Sequence, residues 1–230
     1  GDGALFEEIT VDAQLYNAYS GIVYYVRGDC TIQDCTVKSG SVISNQTGPA
    51  GGIAAIFTSS GSHLISRCVV EDGVSITGLG NEVSFIGGVG GILADGAAEI
   101  EYCYSGADLT ATAANAYIGG IVAHGNSMGN TVITSCGATG TFTLRNGGTV
   151  GGVAGSANAA SAGEGNAFLT NSFFFGSIEG SPTNVGGVVG ITTRTDTVDA
   201  YFCIENGIDA TVENDGAVEA GADAFRSGEI

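Results

Sequence analysis

The polar and apolar positions of this chain repeat a short phrase. AGGIAAI (50–56), VGGILADG (89–96), YIGGIVAHG (117–125), VGGVAGSA (150–157) and VGGVVGIT (185–192) each set a glycine pair before small apolar residues. Aligned on the second glycine, the members are Gly52, Gly91, Gly120, Gly152 and Gly187, with Gly21 in SGIVYY as a degenerate first copy. A second phrase follows each: TIQDC ending at Cys35, LISRC at Cys68, EIEYC at Cys103, VITSC at Cys136, FLTNS at Ser172 and DAYFC at Cys203. These end points lie 33, 35, 33, 36 and 31 residues apart, so six units with a period near 34 account for most of the chain. Self-similarity at such a period marks a repeat architecture.

Within each unit Ile, Val, Thr, Tyr and Phe dominate and no 3.6-residue pattern persists, which predicts strands. After each glycine pair, positions one and three are apolar or small, as in Ile53 and Ala55 or Ile121 and Ala123, so they share one strand face. The second phrase breaks that alternation. Ile32 and Cys35, Ile65 and Cys68, Ile100 and Cys103, and Ile133 and Cys136 are three apart. If both members are buried, the backbone turns between them, as at a corner of a coil. Short strands and corners at a fixed period cannot bury each unit alone, and stacking the units can. The expected fold is all-β, a parallel β-solenoid of about six coils, on the order of 30 Å long at a coil spacing of about 4.8 Å. The alternative is a β-propeller, whose blades repeat at about 40 residues with four strands each; a unit of 34 is short for it, and there is no tryptophan.

In this scheme the glycine pairs supply positive φ at corners and room beside a packed neighbour. The stretches 124–130 and 156–166 are loops that absorb differences in period. Residues 1–19 are expected to cap the solenoid, 20–207 to form its repeats, and 208–230 to cover the last coil; the native chain is expected to continue past Ile230.

Composition narrows the functional classes. Forty glycines with two prolines and 43% hydrophobic residues describe a chain that buries a continuous core, neither collagen-like nor disordered. Twenty-four acids oppose six bases for a net charge of -18, which excludes nucleic acid as a partner and disfavours an anionic membrane surface. No acid falls between Leu109 and Gly163, while eight fall from Asp199 to Glu229. No stretch is long and apolar enough to span a membrane, and the N-terminus shows no signal-peptide pattern.

The phrase G-[LIV]-x-[GA], followed by apolar-x-x-Cys and a glycine, resembles the GLUG motif. Gly152-Val-Ala-Gly155 and Gly187-Val-Val-Gly190 fit it closely; Gly120-Ile-Val-Ala123 and Gly91-Ile-Leu-Ala94 fit with alanine last. The closing FRSGEI is similar to the segment that commonly follows such repeats. Tyr24, where a small residue belongs, and Ser172, in place of cysteine, depart from the pattern. The resemblance covers roughly residues 20–230. It implies an extracellular or cell-surface bacterial location and a non-catalytic module outside the peptidase domain of proteins resembling immunoglobulin A proteases. Such a module would act as adhesin, ligand-display element or spacer, with a host protein, a glycan or adjacent domains of the same protein as partners.

Candidate chemistry is sparse. Five cysteines at one position per coil would form a ladder of buried, reduced thiols, with Cys30 and Cys35 the pair best placed to be an exception. His63 and His124 fall in turn-like contexts as surface-loop residues, and no zinc-type cysteine pair occurs. Glu99 and Glu101 share a strand face that could meet a hard cation, but a solvated pair is the expectation, so no metal or cofactor is assigned. Arg27-Gly28-Asp29 spells an integrin-contact tripeptide, which three residues produce readily by chance. A carbohydrate-active β-helix enzyme is the alternative to a module; it needs two facing carboxylates, and no motif marks them. The ligand-binding candidates are aromatic: Tyr24, Tyr25, Tyr104 and Phe174, the last as the exposed member of a run whose flanks, Phe173 and Phe175, are core.

Overall fold

The computed structural model describes residues 3–57, 61–80, 84–94, 97–126, 132–157, 167–192, 195–211 and 217–228. Every strand pair in it is parallel and joins one coil to the next, so the fold is the parallel β-solenoid and not the propeller. Each coil passes through four sheets. The first runs from Ala4–Glu7 through Cys30–Gln33, Ser62–Ser66, Ala97–Glu101, Val132–Thr134 and Ala167–Thr170 to Thr195–Val198. The second is the broad face; the third and fourth flank the glycine pairs. The third sheet has five strands, one per complete turn, against six expected units.

Like stacks on like inside the rod. Phe6, Ile32, Ile65, Ile100, Ile133 and Leu169 are register partners in the first sheet. Leu15, Ile43, Ile76, Leu109, Phe142 and Ile178 form the matching column of the second. Residues 4–16, expected as a cap, supply strands of the first and second sheets. At the other end, Ala217–Glu219 pairs with Ala200–Phe202, and a helix, Ala222–Ser227, follows it.

The corner predicted between isoleucine and cysteine is present. Ile32 and Cys35 are both fully buried, and Asp34 between them takes φ 54°. Arg67, Tyr102, Ser135, Asn171 and Asp199 repeat that left-handed conformation coil after coil. It costs roughly 1–2 kcal/mol for an ordinary L-residue. The amides of Asp34, Arg67, Tyr102 and Ser135 bond the coil above, as Arg67 N to Glu101 O (3.1 Å) and Tyr102 N to Thr134 O (3.2 Å), which offsets the cost. The cysteine closes the corner: each Sγ donates to the carbonyl two residues back, Cys68 to Ser66 at 3.4 Å and Cys136 to Thr134 at 3.3 Å. Ser172 makes the same bond to Thr170 at 2.9 Å, so a serine replaces cysteine without loss of the donor.

The ladder therefore comprises Cys35, Cys68, Cys103, Cys136 and Ser172. Its sixth place belongs to Ala200, not to Cys203: Phe173 pairs with Tyr201 and Phe175 with Cys203. All six cysteines are unbonded, Cys30 and Cys35 included. The thiols of Cys68 and Cys103 are pushed far above the ordinary range, each first by the next thiol along the ladder, Cys103 and Cys136 respectively, and by burial. A thiol reagent added to native protein should leave Cys68, Cys103 and Cys136 unlabelled, and unfolding in denaturant should release all six; labelling of these three before unfolding would contradict the packing.

The glycine pairs act through space alone. None of Gly51, Gly52, Gly119, Gly120, Gly151 or Gly152 has positive φ. A Cβ on Gly120 would lie 2.2 Å from Gly152 O and 2.3 Å from Ala138 Cβ; one on Gly119 would lie 1.9 Å from Val122 O. The backbone bends so tightly, and coils approach so closely, that no side chain fits. Register also corrects the alignment of the third unit. Gly87 pairs with Gly51 and Gly119, so its glycine pair is Gly87-Gly88 within IGGVGGIL, and Gly90-Gly91 lies three residues further on.

Candidate functional site

The second sheet changes shape along the rod, and the change makes a groove. In early coils it is split by tips: Thr36–Val37 and Val42–Asn45 flank one, Val69–Val70 and Ser75–Gly78 the next. Lys38 and the Ser39 amide grip Glu71 across the two tips (2.7 and 2.9 Å). Later coils cross the same face in single strands, Gly137–Asn146 and Phe173–Gly180. Below the Asp72 tip lies a groove of about 460 Å³ with Tyr104, Thr139, Thr141, Phe175 and Glu205 along it.

Its floor is glycine because the Asp72 side chain and the neighbouring backbone crowd these positions. A Cβ on Gly106 would sit 1.7 Å from Asp72 Oδ1, and one on Gly176 2.4 Å from Gly140 O. Tyr104 Oη donates to Asp72 Oδ1 at 2.6 Å and lies 2.7 Å from Thr139 Oγ1, which is thereby positioned to donate to it. Burial and then the Asp72 contact raise the phenol's pKa, so it is a neutral donor. Asp108 Oδ1 accepts from Thr141 N at 2.9 Å, and Glu205 pairs with Arg226. Phe175 stacks on Phe225 of the C-terminal helix (centroids 5.2 Å apart, planes 20° apart), with the Arg226 guanidinium 5.7 Å from its ring.

Of the four aromatic candidates, Tyr104 lies in this groove. Phe174 does not, and the expectation for it is reversed. It is fully buried, packed on Phe142 at 4.9 Å, while Phe173 and Phe175 are half-buried on the outer face. Strand alternation allowed either parity for the run; the choice is set by the column Ala138, Phe174, Phe202 that points inward under the glycine pairs. Sequence reasoning therefore missed Phe175, and the missing signal was register against Ala138.

Tyr24 and Tyr25 lie elsewhere, on the edge strand Val23–Val26 of the fourth sheet. Tyr24 is 50% exposed and leans on Tyr19 at 4.5 Å; Tyr25 is 39% exposed with Arg27 5.0 Å from its ring. Tyr24 holds the place taken by Ala55, Gly91, Ala123, Gly155 and Gly190 in later coils. At the glycine members a Cβ would meet the coil before it, at 2.6 Å from Ala55 O for Gly91 and 2.5 Å from Ala123 O for Gly155. The first coil has no such neighbour in the described structure, so a large ring fits. Asp29 of the Arg-Gly-Asp tripeptide is an internal brace, its Oδ1 accepting from Ser62 N at 2.8 Å.

The histidines are not loop residues. His63 lies in the strand Ser62–Ser66, buried beside Phe57. His124 lies in Val122–Asn126, half-buried against Phe85 and Tyr117 at 4.9 and 5.2 Å, and desolvation lowers its pKa. The glycine bend thus folds YIGGIVAHG back until its Tyr117 and His124 touch. Glu99 is exposed, while Glu101 accepts from Ser66 Oγ at 3.0 Å. Among the described residues no group of three or more metal-ligating side chains converges.

No helix among the described residues is long and apolar enough to cross a membrane. No protein-family model and no curated protein matches the chain. Solved structures share its fold, and two of them are informative. One, described as a candidate immunoglobulin A1 protease from Bacteroides ovatus, aligns with TM-score 0.64 and 17% identity over 98% of this chain and 69% of its own. The other, named IgA1 Protease, aligns with TM-score 0.63 and 20% identity over 96% of this chain; the match spans 17% of that protein's length. At these identities the likeness is one of architecture: the chain is similar to a β-solenoid found within proteins carrying the immunoglobulin A1 protease name.

Proposed function

We propose that the chain is a non-catalytic module of a bacterial secreted or surface protein, built of GLUG-like repeats, that spaces and displays binding surfaces outside the cell. The observation that supports it is the state of the groove's carboxylates. Asp72, Asp108 and Glu205 each accept a hydrogen bond from a protein donor. Glycoside hydrolysis needs a carboxylic acid aimed at the leaving oxygen and a second carboxylate facing it, whereas these three brace the Tyr104 side chain, a strand amide and the C-terminal helix. The architecture shared with part of a much longer protein named IgA1 Protease fits a module that works beside a peptidase.

The test is direct. The intact chain, incubated with immunoglobulin A1 and with neutral and uronate polysaccharides, is expected to yield no new termini, reducing ends or unsaturated products. Product formation that disappears in Asp72→Asn or Asp108→Asn would establish the carbohydrate-active reading instead.

A further inference from the structure

We infer that the groove on the second sheet is a binding site for a linear oligosaccharide that is neutral or carries amines, lying along the rod axis. The inference rests on reading the chain as a binding and display module. The groove crosses the coils of Asp72, Tyr104, Thr139, Phe175 and Glu205, four steps of about 4.8 Å or about 19 Å in all. Such a shape fits an extended chain better than a compact ligand.

Its chemistry points the same way. Tyr104 and Phe175 offer ring surface to the C–H faces of sugars at little cost in side-chain entropy. The glycine floor keeps the approach flat. Carboxylate oxygens of Asp72 and Asp108 that are not used by Tyr104 and Thr141 accept from sugar hydroxyls or ammonium groups. Arg226, the cation packed on Phe175, is already paired with Glu205 and Asp223. A uronate or sialylated chain would bring like charge to a groove with three carboxylates, and among its described lining residues it would meet no Lys or Arg, so selectivity runs against acidic glycans.

Calorimetry with hexamers of N-acetylglucosamine, glucosamine and galacturonate separates the outcomes. Expected is binding of the first two, with the glucosamine hexamer weakened as salt rises from 0.05 to 0.5 M, about a threefold shortening of the screening length, and no binding of galacturonate. Tyr104→Ala should weaken binding roughly tenfold, an effect of about 1.4 kcal/mol, while Tyr104→Phe keeps most of it. Ser177→Arg, which fills the groove without removing Tyr104, should abolish binding with the melting temperature unchanged. Preference for galacturonate, affinity unaltered by Tyr104→Ala and Ser177→Arg, or no binding of any hexamer would each overturn the assignment. Absence of binding without cleavage would leave the module reading intact, and cleavage would remove it.

Discussion

Replacing Gly120 with valine is expected to lower the melting temperature by about 10 °C or more, or to prevent folding. The Cβ alone would enter the space of Gly152 O and Ala138 Cβ, at 2.2 and 2.3 Å, with Phe142 Cζ at 3.1 Å. Backbone carbonyls in a stacked ladder cannot retreat without breaking the bonds of the neighbouring coil. A cost of about 4 kcal/mol belongs to the severe class of core overpacking, and at this chain length each kcal/mol moves the melting temperature by about 2–4 °C. Gly90 is the control. Its Cβ would meet nothing closer than 3.8 Å, so Gly90→Ala should be neutral within about 0.5 kcal/mol, whereas Gly88→Ala, two residues earlier, would meet Gly120 O at 2.0 Å. Equal melting temperatures for Gly88→Ala and Gly90→Ala would refute the register.

Phe174→Ala should cost about 3–5 kcal/mol, the usual range for a buried phenylalanine. The ring is fully buried, rests on Phe142 and fills the space above Gly152, whose Cβ position lies 2.5 Å from Phe174 Cγ. Chemical denaturation of Phe174→Ala beside Tyr24→Ala checks this: the exposed tyrosine should change stability by less than about 1 kcal/mol. A small loss in Phe174→Ala would mean the run is turned the other way.

Much of this architecture was legible in the chain. The period, the parallel stacking and the turn between isoleucine and cysteine followed from spacing alone, because two buried residues three apart cannot share a straight strand. Assigning the turn's left-handed φ did not follow. It falls on Asp34, Arg67, Tyr102 and Ser135, which carry no glycine to announce it, while the conspicuous glycines adopt ordinary dihedrals and serve close approach. The glycine-rich third unit could be aligned two ways in sequence, and only pairing with Gly51 and Gly119 chose between them. The groove was half legible. Tyr104 stood out as an aromatic binding candidate, but the hydrogen bond to Asp72 spans 32 residues and Phe225 reaches Phe175 from a different element.

Tyr24 bears on how a chain of this kind can lengthen by duplication. A copied unit that brings glycine to the position facing the preceding coil, as the units of Gly91, Gly155 and Gly190 do, can be inserted within the rod and still stack, because there is no Cβ to meet the carbonyl of the coil before it. A copy of the first unit placed inside the rod would set a tyrosine against backbone such as that meeting Gly91 and Gly155 within 3 Å. A unit carrying that tyrosine therefore cannot serve as a template for the interior of the rod, and the units that can be exchanged freely are those with glycine at its place.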